Sequence, residues 1–228
     1  MGATALRAKL LIVRALSTIL LVVLLAAPAG AQVYGAPRDY RADALWISGG
    51  TGTMRAVSVL DRASDATWVL DESKPVGGSV EWGRADRTIG VRVQQLTAAM
   101  QFEGASCIYC DGEVQALTAL AVYRRASPLF NSSSLRQIVE LGAGATRWSN
   151  LRGRNGHQLP AIAPVFDFTY SASIGIGLPL GERLEATAMY DVLMARHRLL
   201  QTSSPDSKSI GYIGFAVVRF GARWRLGE

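Results

Sequence analysis

Few residues in this 228-residue chain have the type and spacing that chemistry needs. Cys107-Ile-Tyr-Cys110 has the spacing of a redox pair or of half a zinc site, yet the chain has only these two cysteines. No second ligand pair can complete a tetrahedral metal site, and no βαβ pattern surrounds the motif. A small disulfide joining Cys107 and Cys110 near a loop tip is the expectation. "SGGTGT" (48–53) and "GAGAT" (142–146) are glycine-rich, but neither leads into the Lys-Ser/Thr and helix that receive a phosphate. No catalytic, metal or cofactor residue is assigned, and no enzyme activity is expected.

Charge placed on strands is more informative. In "AVVRFGARWRL" (216–226) apolar residues alternate with Arg219, Arg223 and Arg225. Such alternation gives a strand one apolar and one polar face. The same period recurs in eight segments: 44–52, 76–83, 88–102, 111–124, 135–148, 166–178, 183–197 and 210–226. In 88–102 the apolar phase slips at Gln94-Gln95, which predicts a β-bulge. Short links join the second to the third segment ("RADR") and the sixth to the seventh ("PLGE"), and most of the others are longer. An antiparallel β-barrel with tight turns at one end and long loops at the other fits this pattern.

The N-terminus places that barrel. Arg7, Lys9 and Arg14 precede an apolar run, Ala15–Ala27, and then Pro28 and Ala29-Gly30-Ala31. These are the three regions of a cleaved secretory signal peptide. Residues 1–31 are therefore assigned to the signal, 32–43 to a periplasmic linker and 44–226 to the barrel. Cleavage removes three cations and no anion, so the net charge of +6 falls to +3. No basic patch interleaved with aromatics remains, which argues against nucleic acid as a partner.

Two barrels share this alternation. A soluble, lipocalin-like barrel turns its apolar face inward, whereas a membrane barrel turns it outward. Small polar residues (Thr169, Ser171, Ser173, Gly175, Gly177) oppose the apolar face of the sixth segment, as a narrow lumen requires. Aromatics lie near both ends of the apolar face, with Phe102, Phe166, Phe168, Tyr170 and Tyr212 toward the long loops and Trp82 and Trp224 toward the short turns. These girdles and the strand lengths favour the membrane form. An arginine facing lipid near the midplane costs about 2–4 kcal/mol, so the arginines of the last strand belong inside.

"GIGLPLGERLEATAMYDV" and the aromatic-rich last strand resemble the small eight-stranded outer-membrane barrels of the OmpA/OmpX type. Such proteins usually finish on a terminal aromatic, whereas here Leu226 holds that phase. The resemblance implies an all-β, up-and-down transmembrane barrel in the bacterial outer membrane with periplasmic N- and C-termini. It also implies the lipid bilayer and, during biogenesis, the barrel-assembly machinery as partners. Some barrels of this size are lipid A-modifying hydrolases with a His and a Ser one residue apart. Here His197 is followed by Arg198 and Leu199, so that activity is not expected.

Two interior features follow from the strand phases. Glu81, Arg92, Arg136, Glu140, Arg183, Glu185, Arg219 and Arg223 are expected to form a charge network that plugs the lumen, with Glu185 opposite Arg219. Met189, Leu193, Ile213, Phe215 and Val217 are expected to line an apolar upper lumen. An envelope-structural or surface-interaction role is the leading functional expectation. Binding or conduction of a small hydrophobic ligand is the alternative.

Overall fold

A computed structural model describes the backbone of residues 42–61, 66–104, 107–129, 135–153, 166–199 and 209–227. Side chains at 58–61, 66–68, 102–104, 107–110, 150–153, 197–199 and 209–212 lie outside the description. The expected signal peptide also lies outside the described residues.

Among the described residues ten strands form, all antiparallel to their neighbours: β1 (Ala44–Met54), β2 (Val57–Asp61), β3 (Ala66–Leu70), β4 (Val76–Arg84), β5 (Arg87–Gly104), β6 (Cys107–Pro128), β7 (Arg136–Gly153), β8 (Phe166–Pro179), β9 (Leu184–Leu199) and β10 (Ser209–Leu226). Eight of them close a ring in the order β1-β4-β5-β6-β7-β8-β9-β10. The ring is sealed where β10 pairs with β1, from Leu45↔Leu226 to Met54↔Val217. These are the eight segments that alternation marks.

The segment 53–75, expected as a loop, instead carries β2 and β3. They pair with each other, and β3 runs beside β5 beyond the point where β4 begins, with Leu70 opposite Met100. Met54 and Ser73 exchange backbone hydrogen bonds at the junction. The first hairpin is thus an interrupted continuation of the barrel wall.

Alternation in β8 shows why these sequences make this wall. Phe166, Phe168, Tyr170, Ile174, Ile176 and Leu178 are exposed, while Asp167, Thr169, Ser171 and Ser173 are buried. No water-soluble surface would tolerate that stripe, which the other strands continue with Val80, Trp82, Ile89, Val91, Tyr123, Leu141, Phe220 and Trp224. The apolar face points outward.

The bulge expected at Gln94-Gln95 does not form. The β5–β6 register is continuous from Arg87↔Arg125 to Phe102↔Cys110, and its irregularity lies between Phe102 and Gly104. Even-numbered β5 residues face inward on both sides of the supposed slip: Thr88, Arg92 and Gln94, then Leu96, Ala98 and Met100. What changes is the surroundings. Below Gln94 the outer face carries Ile89, Val91 and Val93; above it come Gln95, Thr97, Ala99 and Gln101. β6 does the same, with Leu117 and Tyr123 in the belt and Glu113 and Gln115 above it on the same face. About 9–11 residues suffice to cross a bilayer, whereas β5 has 18 and β6 has 22. These strands pass beyond the apolar belt, and there the barrel has a polar outside and an apolar inside, as in water-soluble proteins.

The interior is layered accordingly. Met54, Leu96, Met100, Leu120, Trp148 and Phe215 belong to one apolar cluster in the long-loop half. A polar layer lies nearer the tight turns. Ala44, Trp46 and Ala85 close that end.

Candidate functional site: the charged lumen

Among the described residues, eight charged side chains gather in one layer of the lumen, and two cross-strand pairs begin it. In the β9–β10 ladder Arg223 stands opposite Glu185, and in the β6–β7 ladder Arg124 stands opposite Glu140. Strand tilt then decides which groups meet across the ring. Arg223 reaches Glu81 at 3.1 Å and Glu185 at 3.4 Å, and its guanidinium lies over the Trp46 ring, 4.1 Å from the centroid. Arg124 meets Glu185 at 3.0 Å rather than Glu140. Arg92 donates a close hydrogen bond to Glu140 and a second to the Ser171 hydroxyl. Arg219 grips Asp191 with two hydrogen bonds of 2.8 and 3.2 Å and also reaches Glu140 at 3.2 Å.

The layer is electrically balanced, with four arginines and four carboxylates. Burial makes that balance necessary: Asp191 is 0% exposed, Arg223 1% and Glu140 2%. An isolated ion so placed costs several kcal/mol, which only paired charges and hydrogen bonds can offset. Glu81 also accepts from the Ser79 and Thr88 hydroxyls, each at 2.6 Å. A cavity of about 20 Å³, bordered by Gly50, Gly77, Arg92, Gln94 and Arg219, has room for about one water.

Six of the eight expected network residues are here: Glu81, Arg92, Glu140, Glu185, Arg219 and Arg223. Arg183 is not, because it lies exposed in the turn between β8 and β9. Arg136 is half-buried at the first position of β7, at the rim rather than in the layer. The expected pairing of Arg219 with Glu185 is also replaced; Asp191 and Glu140 take Arg219, and Glu185 takes Arg124 and Arg223.

Arg124 and Asp191 were missed. Asp191 had a signal, since it lies between Met189 and Leu193 in the inward phase of β9. Arg124 had none. It adjoins Arg125, and the two faces of that segment are equally apolar.

The apolar residues divide differently from expectation. Leu193, Ile213, Phe215 and Val217 join the upper cluster, where Phe215 packs at 5.8 Å between ring centroids against Trp148. The Trp148 indole donates to Asp167 at 2.7 Å. Met189 sits lower, packed with Ala126 and Ile138. The register explains this: Met189 is opposite Arg219, and Leu193 is opposite Phe215.

Cys107 and Cys110 have their backbone in β6, which begins at Cys107 instead of the expected 111. Their side chains lie outside the described residues, as do that of His197 and all of His157. Among the described residues no group of three His, Cys, Asp or Glu side chains could hold a metal. Among the described residues no helix is long and apolar enough to cross a membrane.

No protein-family profile and no curated protein matches the sequence. Solved structures do match. Neisserial surface protein A aligns with a TM-score of 0.54 at 9% identity, covering 81% of this chain and 99% of that one. The outer membrane protein OprG from Pseudomonas aeruginosa aligns with a TM-score of 0.55 at 12% identity, covering 82% of this chain and 98% of that one. At such identities the likeness concerns the fold. With the outward apolar belt and the buried ion layer, it sets aside the soluble, lipocalin-like alternative.

Proposed function

Starting from the fold of a small integral outer-membrane β-barrel, we propose that this protein is a non-conducting, non-enzymatic envelope component. It spans the outer membrane with its tight turns and both termini on the periplasmic side. Its extended long-loop half serves a structural or surface-interaction role. One observation carries this reading: the lumen is filled twice, by the balanced ion layer and by the apolar cluster above it. A pore must keep a continuous wet path, and side chains buried as deeply as Asp191, Arg223 and Leu120 argue against one.

Planar-bilayer recording of the refolded full chain tests the plug, with no stable single-channel steps expected. Steady unitary currents carried by the purified barrel would refute it. Fractionation tests location. Recovery with outer membranes and a heat-modifiable gel shift is expected, whereas recovery as a soluble periplasmic protein would overturn the reading.

A second reading, binding of a small hydrophobic ligand, has one observation in its favour. Above Val217, β10 is laddered to β9 alone among the described residues, while Ile213, Phe215 and Val217 line the interior just there. A sheet edge beside an apolar interior is a place where an apolar molecule could enter. Saturable binding of a hydrophobic fluorophore, weakened by Phe215→Ser in a folded barrel, would favour it. Absence of binding leaves the plugged barrel.

A further inference from the structure

The outer face at the tight-turn rim holds a charge arrangement that the lumen does not explain. Arg84 of β4 is directly opposite Arg87 of β5, and Arg87 is directly opposite Arg125 of β6. All three lie in the outward phase. The next outward row toward the belt is Trp82, Ile89 and Tyr123, likewise in register. A basic row therefore borders an aromatic and apolar row, each spanning the same three strands.

Like charges directly opposite on a sheet repel. Asp86, in the turn, offsets only part of this. It takes a two-point contact from Arg84, with oxygens at 3.0 and 3.2 Å, and stands 4.0 Å from Arg87. Arg125 has no carboxylate within salt-bridge distance among the described residues, and its far neighbour in the row is Val139. Three cations against one anion leave an excess of two positive charges. The Arg87 side chain is 62% exposed.

The row is held in place. Ala126 donates its backbone N–H to the Asp86 carbonyl at 2.8 Å, tying β6 to the β4–β5 turn. Ala85 is buried beneath it against Ala44 and Trp46. Gly83 has φ 135° and its carbonyl accepts the Trp46 indole N–H at 3.1 Å. A Cβ at Gly83 would sit 2.6 Å from the Arg87 carbonyl oxygen, so only glycine lets the hairpin close with Arg84 and Arg87 in one row.

We propose that Arg84, Arg87 and Arg125 form a docking site for the phosphate of an anionic glycerophospholipid, with Trp82 and Tyr123 at the level where headgroup meets chain. The inference rests on the membrane reading above, which brings this rim to a lipid surface. Interfacial aromatics next to cations are the expected anchors at such a depth, and a phosphate between opposed guanidinium groups turns repulsion into charge-assisted hydrogen bonding.

The test is the lipid selectivity of the refolded full chain in phosphatidylcholine vesicles that contain a minor fraction of spin-labelled phosphatidylglycerol or spin-labelled phosphatidylcholine. At about a fivefold gain per cation near the surface, two excess charges predict a preference for phosphatidylglycerol of about 30-fold at low salt. Arg87→Gln/Arg125→Gln should bring it near parity. Arg147→Gln/Arg196→Gln, on the outer face at the opposite rim, should leave it in place. Stability supplies an independent sign: the Arg87/Arg125 variant should be no less stable than wild type in pure phosphatidylcholine and less stable in phosphatidylglycerol. If the double variant does not insert, each single Gln variant should lower the preference about fivefold. A preference retained in the Arg87/Arg125 variants, or lost equally in the Arg147/Arg196 variant, overturns the proposal while leaving the membrane barrel intact. Failure of the wild-type chain to insert overturns both.

Discussion

Replacing Arg219 by leucine tests the ion layer where its geometry is sharpest. Arg219 and Asp191 occupy neighbouring strands and share two near-parallel hydrogen bonds, while Asp191 is fully buried. Without the guanidinium, the one described cation left within salt-bridge distance of Asp191 is Arg92, at 3.7 Å. Glu140 keeps its close contact with Arg92, so the damage concentrates on one carboxylate. Three cations then face four anions. Breaking a buried pair from one side costs about 3–5 kcal/mol. With a urea slope of about 1–3 kcal/mol/M, the unfolding midpoint should fall by roughly 1–5 M. The assay is urea unfolding of the vesicle-inserted barrel, followed by tryptophan fluorescence and gel migration. Two double variants locate the cause. Arg219→Leu/Asp191→Leu should recover most of the loss, because an apolar pair of similar shape leaves no stranded charge. Arg219→Leu/Glu185→Gln should recover none, because Glu185 is held by Arg124 and Arg223. A wild-type midpoint for Arg219→Leu, or equal rescue by the two second substitutions, would refute the assigned pairing.

Other measurements probe the wall and the ends. Val91→Arg and Gln101→Arg share the outer face of β5, inside and beyond the apolar belt; the first should cost about 2–4 kcal/mol and the second about 0–1, and equal costs would show that no membrane boundary lies between them. Gly177→Ala would put a methyl 2.1 Å from Glu185 Oε1, so it should displace that carboxylate from Arg124 and destabilise the barrel by about 1–3 kcal/mol; an unchanged urea midpoint would show that Glu185 can yield without loss. Thiol labelling of the exported protein should require prior reduction if Cys107 and Cys110 are joined, and full labelling without reductant would exclude the bond. N-terminal sequencing of the mature protein should begin at Gln32, and an intact Met1 would remove the signal-peptide assignment.

Alternation is a local property with a period of two residues, and it was sufficient to identify eight strands, their two faces and the inward direction of Arg219, Arg223 and Arg225. The cost of placing an arginine in lipid acts on each residue separately, so it too can be read along the chain. The change of phase at Gln94 was visible, but its meaning was not. A bulge and an exit from the membrane produce the same string of letters, and only the unbroken register of β5 with β6 distinguishes them. The ion pairs lay further from reach. Arg223 and Glu81 are 142 positions apart, and whether Arg223, Arg219 or neither meets a given carboxylate depends on how strand tilt staggers the eight staves around a closed ring. Arg124 faces Glu140 in the ladder yet bonds Glu185 across the lumen, because long side chains in a narrow barrel span its diameter as easily as the gap between strands. Sequence periodicity therefore determined which groups are buried. Closure of the ring decided which of them neutralise one another.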